Sequence, residues 1–147
     1  MIGSQQELKR GADVVAGTCL AVQPGEQVVI VADLPNRDPG LALTEAVRSR
    51  GAEASLVLIV PRKAHAEDPP GPVIEALRSA DAAILATTFS LSNSNARRLA
   101  NQAGARIISL PGCRPETLAT GAIFADFKAM EPVVRELGRR QIGRAHV

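Results

Sequence analysis

The chain contains no tryptophan and no tyrosine, and its aromatic residues are Phe89, Phe124 and Phe127. Nucleobases would find no stacking platforms, and a formal net charge of +2 is too small to grip a phosphate backbone, so no nucleic-acid partner is expected. Cysteine is equally scarce. Cys19 and Cys113 cannot build a disulfide scaffold or a structural zinc cluster, and a reduced, cytoplasmic setting is the expectation. Met1 to Arg10 lacks the charged-then-apolar order of a signal peptide, and no apolar run reaches the roughly 18 residues that span a bilayer, so no membrane partner is expected either.

What the chain does have is aliphatic residues in short runs that alternate with helical patterns. Ser4-Gln5-Gln6-Glu7 fits a capping box, and Leu8, Ala12, Val15 and Cys19 continue it as a helix to about Leu20. Apolar runs at 28–32, 54–60, 82–87 and 106–110 read as four strands, the pattern of strands buried within a parallel sheet. Between them, helices are predicted from Pro39 to Gly51, from Pro72 to Ala80, and from Ser92 or Asn93 to Gln102, the last ended by Gly104. Pro115 to Thr120 reads as a short helix, and Asp126 caps a final one reaching about Arg140, with Pro132 in or near its first turns. Parallel neighbours need crossover helices, so the fold expected is an α/β three-layer sandwich, Rossmann-like or flavodoxin-like, with a mostly parallel sheet. Right-handed crossovers give the strand order 2-1-3-4.

Ligands of such sheets bind beyond the carboxyl ends of the strands where the order reverses, here between the first and third strands. That places Asp33, Asn36, Thr87, Thr88, Ser90 and Ser92 at the expected site. From this region Asp33, Thr88, Ser90, Ser92 and Asn93 are the candidate substrate-binding residues. The stretch Thr87 to Asn95 is dense in hydroxyls and amides at a helix start, where unpaired N–H groups attract anions or carboxylates. The alternative is that Ser92, Asn93 or Ser94 caps the helix while the other hydroxyls satisfy loop backbone. No Gly-x-Gly-x-x-Gly, Walker loop or Gly-x-Ser-x-Gly elbow is present, so nucleotide binding and serine-hydrolase chemistry are disfavoured and no catalytic residue is assigned. His65-Ala66-Glu67-Asp68 groups an imidazole with two carboxylates, but its proline-flanked segment, Arg62 to Gly71, reads as an exposed, mobile loop rather than a metal site. Cys113 reads as a packed or inert thiol.

Val22-Gln23-Pro24-Gly25-Glu26-Gln27-Val28-Val29-Ile30, Arg50-Gly51-Ala52-Glu53, Pro61-Arg62, Asp68-Pro69-Pro70 and Ala80-Asp81 together resemble the N-terminal domain of the aminopeptidase T (thermophilic leucyl aminopeptidase) metallopeptidase family. Ser90 to Arg98, Gly104-Ala105-Arg106 and Ser109-Leu110-Pro111-Gly112 extend the resemblance over residues 7–140. The same broad family includes 2,5-dihydroxypyridine 5,6-dioxygenase, a non-haem iron enzyme. The resemblance implies a parent in which a second, downstream domain carries the metal-binding His, Glu and Asp residues. It implies a divalent metal (zinc, cobalt or iron) for that parent and none bound by this fragment. It also implies a small-molecule or peptide substrate, and the parent can be homodimeric. Where the family often has Ser-His-Thr this chain reads Ser92-Asn93-Ser94, which leaves peptidase and dioxygenase both open.

Residues 1–141 are therefore read as the N-terminal α/β domain of a larger enzyme whose missing C-terminal catalytic domain is its partner. Ile142 to Val147 match the translation of a common short-read sequencing adapter, so this tail is expected to be foreign and His146 is set aside as a ligand. The alternative function is a stand-alone module binding a small anion or carboxylate at the Thr87–Asn95 turn. A third is a dimerising scaffold.

Overall fold

The computed structural model describes residues 5–144; Ser4 of the expected capping box and residues 145–147 lie outside the described residues. The strands are β1 (Gln27–Asp33), β2 (Glu53–Ile59), β3 (Ala82–Ala86) and β4 (Arg106–Ser109). They form one sheet of four parallel strands in the order β2-β1-β3-β4, as the crossover argument requires. The helices are α1 (Gln5–Val14), α2 (Arg37–Arg48), α3 (Gly71–Ser79), α4 (Asn95–Gln102), α5 (Pro115–Ala119) and α6 (Phe127–Arg144).

The central strands are apolar on both faces because both faces are covered. Val28, Ile30 and Ala32 of β1 and Ala82, Ile84 and Ala86 of β3 pack against α1, α2 and α5. Val29, Val31, Ala83 and Leu85 point the other way, into a second core with Val73 and Leu77 of α3 and Ala96 and Ala100 of α4. Each of the larger of these side chains, valine, leucine or isoleucine, contributes about 1.5 to 3 kcal/mol once buried. The edge strands are less buried than the central pair, and β2 leaves Leu58 41% accessible at the carboxyl end of the sheet. No helix among the described residues is long and apolar enough to cross a membrane.

Four boundaries differ from the sequence reading. The first helix leaves α geometry at Val15 and runs to Cys19 as a π-helical turn, beside Gly17, where the Arg50 guanidinium fills the space of a side chain. α2 starts at Arg37, because a 3-10 turn over Leu34–Asn36 already sets the chain helical before Pro39. α4 starts at Asn95 rather than near Ser92, since Ser94 takes the capping position. α6 continues past Arg140 to Arg144, there being no proline in Gln141 to Arg144 to stop it. Its cap is the expected one, with Ala129 N–H donating to Asp126 Oδ1 at 2.9 Å.

Two contacts control how the layers close. At Gly11 a Cβ would lie 1.6 Å from the Leu118 carbonyl oxygen, so α1 and α5 approach backbone to backbone. At the amino ends of the strands, Arg106 grips Glu26 in a fork of two 2.8 Å bonds, joining the β4 start to the turn before β1. The Arg106 hydrogen bond, reinforced by Gln23 N–H, holds the Glu26 carboxyl below its ordinary range.

Two predictions follow from these contacts. Gly11→Ala is expected to cost on the order of 3 kcal/mol in urea unfolding, whereas Gly138→Ala, which meets open space in α6, is neutral or slightly stabilising. Because folding depresses the Glu26 pKa, its stabilisation is present in full above the unfolded glutamate range and is lost as pH falls through the folded value. Wild-type stability measured from pH 7 to pH 3 should therefore drop more than that of Glu26→Gln, by about 1 kcal/mol at low salt.

Candidate functional site

β1 and β3 lie side by side with Ala32 opposite Ala86, so the residues that follow them meet at the point where the strand order reverses. Asp33, the last residue of β1, is 1% exposed. Its Oδ2 accepts the Thr88 N–H at 2.7 Å and its Oδ1 accepts from Asn36 Nδ2 at 2.5 Å. Asn36 is 2% exposed and its Nδ2 also reaches Thr88 Oγ1 at 3.2 Å. A buried carboxylate is thus met by a backbone donor from the neighbouring strand and an amide from its own turn, which ties the two strand ends together.

The other candidates lie along the turn after β3. Thr87 is buried and donates its hydroxyl to the Phe89 carbonyl at 2.7 Å, leaving Thr88 as the exposed threonine of the pair. Ser90 Oγ donates to Ser92 Oγ at 2.8 Å and accepts the Ser92 N–H at 3.1 Å. Ser94, 3% exposed, accepts the Arg97 N–H at 3.2 Å and donates to the Leu91 carbonyl at 2.7 Å. Asn93 is exposed. It borders a polar hollow of about 660 Å3 along α4 with Ser92, Asn95, Arg98 and Gln102. The structure therefore gathers Asp33, Asn36 and Thr88 into one network and places Ser90, Ser92 and Asn93 on the adjoining rim.

Sequence reasoning missed the partner of this rim. The segment from Arg62 to Gly71, read as a mobile exposed loop, is exposed from Lys63 to Ala66 as expected, yet it also bonds to the turn after β3: Ser90 N–H donates to His65 Nδ1 at 2.9 Å and Ala66 N–H donates to the Ser90 carbonyl at 2.8 Å. Asp68 Oδ1 accepts the Ala96 N–H at 2.8 Å, so a carboxylate of the chain itself sits at the α4 amino terminus. These contacts join residues 25 and 28 positions apart, beyond the reach of any local pattern. The clustering of one imidazole and two carboxylates in His65-Ala66-Glu67-Asp68 was the only sequence signal.

No group of three or more His, Cys, Asp or Glu side chains able to hold a metal occurs among the described residues. Cys113 is 2% exposed, and burial pushes its thiol up to about 11, leaving it protonated and unreactive at neutral pH. Leu34, Leu58 and Val60, at 58%, 41% and 65% exposure, follow or end the strands next to the Asp33 network and give this end of the sheet an apolar border. Asp33→Asn turns the acceptor facing Asn36 into a second amide donor or orphans the Thr88 N–H. The expected loss is about 2 kcal/mol in urea unfolding; a change below about 0.5 kcal/mol would show that the carboxylate does not hold the strand ends.

No protein-family model and no curated protein matches the chain. Among solved structures, 2,5-dihydroxypyridine dioxygenase from Pseudomonas putida KT2440 is similar with a TM-score of 0.63 and 20% identity, covering 79% of this chain and 37% of that one. AmpT from Thermus thermophilus is similar with a TM-score of 0.49 and 17% identity, covering 78% of this chain and 41% of that one. The chain spans well under half the length of either structure. The likeness is one of fold: this α/β sandwich is shared with part of a larger dioxygenase.

Proposed function

We propose that the chain is the N-terminal α/β domain of an aminopeptidase T-like metalloenzyme, of the leucyl aminopeptidase or 2,5-dihydroxypyridine dioxygenase type. In this reading the Asp33–Asn36–Thr88 network and the Ser90–Asn93 rim form one wall of a substrate cleft. The opposite wall, with the divalent metal that activates water or oxygen, belongs to the missing C-terminal domain. In this reading this chain's share of the work is to bind and orient. Hydroxyls and an amide on a rim fixed by hydrogen bonds within the chain suit a small polar substrate or a peptide terminus.

The observation that supports this reading most is α6. Met130, Val133, Val134 and Leu137 stand at helical spacing on one stripe and are 49 to 61% exposed, while among the described residues the helix makes at most marginal contact with the sandwich. A domain that covers its own apolar surface has no use for such a stripe; one that docks onto a further domain does. The stand-alone anion-binding reading is less well supported, because two of the N–H groups an anion would need at the start of α4 are already bonded to Asp68 and Ser94.

The purified 147-residue chain, supplied with zinc, cobalt or ferrous iron, is expected neither to release amino-terminal leucine from peptides nor to open dihydroxypyridine rings. A product extended downstream by its genomic reading frame should do one or the other. Metal-dependent turnover by the short chain, or a genomic stop codon directly after Val147, would overturn the proposal.

A further inference from the structure

The segment from Val60 to Pro70 straps the edge of the sheet to the turn after β3. Two of its fastenings converge on Ser90, whose N–H donates to His65 Nδ1 and whose carbonyl accepts the Ala66 N–H. The His65 ring also meets Phe89 edge-on, with centroids 5.2 Å apart. The strap is braced internally, with Lys63 N–H donating to Glu67 Oε2 at 2.7 Å, Arg62 pairing with Glu67 at 3.7 Å, and Arg62 reaching the Asp68 carbonyl at 3.4 Å. Ala66 holds a φ of +67°, a left-handed conformation that a non-glycine residue keeps only where its neighbours impose it. The strap is therefore a specified structure with a defined mate.

One of these fastenings depends on protonation. Nδ1 can accept a hydrogen bond only in neutral imidazole; the imidazolium carries a hydrogen on both nitrogens, and Ser90 N–H would then face another N–H. The other charged groups of the packed segments are committed elsewhere or exposed. Glu67 is held by Lys63 N–H and Arg62, Asp68 by Ala96 N–H, and Arg97 by the Ser92 carbonyl at 2.9 Å. Arg98 bonds Asn95 and Gln102, Asp33 bonds Thr88 and Asn36, and the Lys63 side chain is exposed. Thr88 to Asn93 include no titratable side chain.

We infer that His65 is a proton-operated positioning residue: neutral, it locks the strap onto Ser90 and fixes the rim of the cleft, and protonated, it lets the rim go. Because Ser90 Oγ holds both the hydroxyl and the N–H of Ser92, a displaced Ser90 takes the hydroxyl pair with it. The fastening exists with neutral imidazole and is lost with imidazolium. The inference rests on the proposed cleft only for its consequence in substrate binding; the latch itself is a property of this chain.

The test uses the full chain carrying His146→Ala, so that one imidazole titrates, followed by amide NMR between about pH 5 and 8, the range of histidine ionisation. His65→Gln keeps a side-chain oxygen for the Ser90 N–H at every pH, and His65→Leu removes the acceptor altogether. With His65 present, the Ser90, Ala66 and Ser92 amides should shift together with the His65 ring. Exchange protection of the Ser90 amide, corrected for intrinsic rate, should fall about fivefold or more on the acidic side. His65→Gln should show neither change, and His65→Leu should leave Ser90 unprotected throughout, with thermal melting confirming that each variant is folded. Amides that stay fixed while the ring titrates, or an equal loss of protection in His65→Gln, would overturn the inference. Activity of the short chain would defeat the proposed function while leaving the latch result standing, so the two fail separately.

Discussion

A carboxylate that is 1% exposed must be satisfied by the chain around it, and the way Asp33 is satisfied fixes the carboxyl ends of the central strands. Its two oxygens accept from Thr88 and Asn36, one on the neighbouring strand's exit and one on its own. The first bond holds the β1 and β3 ends together at the only place in the order β2-β1-β3-β4 where consecutive crossovers diverge. The second bends the chain through Leu34–Asn36 into α2. From that node the rest of the crevice is built outward: Thr88 starts the turn, Ser90 and Ser92 share a hydroxyl pair on it, and Ser94 passes it into α4.

Much of this was legible because it follows from burial and topology. β1 and β3 read as strands because every residue from Val28 to Ala32 and from Ala82 to Ala86 is buried, and only a strand covered on both faces is apolar throughout. The strand order came from crossover handedness, and with it the meeting of Asp33 with Thr88 across 55 residues of sequence. The cap of α4 was ambiguous for a chemical reason: Ser92, Asn93 and Ser94 can each cap a helix, and what chooses Ser94 is the tertiary placement of Leu91, fully buried in the second core. The strap was illegible because its polar, proline-rich sequence is the same whether it is solvated or docked. Its docking is decided by Ser90 and Ala96, residues that carry no sign of it. The π-helical turn at Val15–Cys19 likewise has no periodic signature.

α6 is held differently from the rest of the chain. Its intrahelical pairs, Glu131 with Arg135 and Glu136 with Arg139 and Arg140, are well over a third exposed, and such pairs contribute about 0.3 to 0.5 kcal/mol each before salt screening. Pro132, inside the helix, removes one backbone bond and works against them. Most helical stability in proteins comes from a packed apolar face rather than from propensity. That face exists here in Met130, Val133, Val134 and Leu137, and each of these side chains would contribute about 1.5 to 3 kcal/mol on full burial. The ion pairs are weak by comparison, so burial of that stripe would stabilise α6 far more than they do. The same reasoning does not extend to the crevice, where Asp33, Asn36 and Ser94 are satisfied within the chain. The polar network at the strand ends is closed within the chain, whereas the apolar stripe of α6 stays half-exposed.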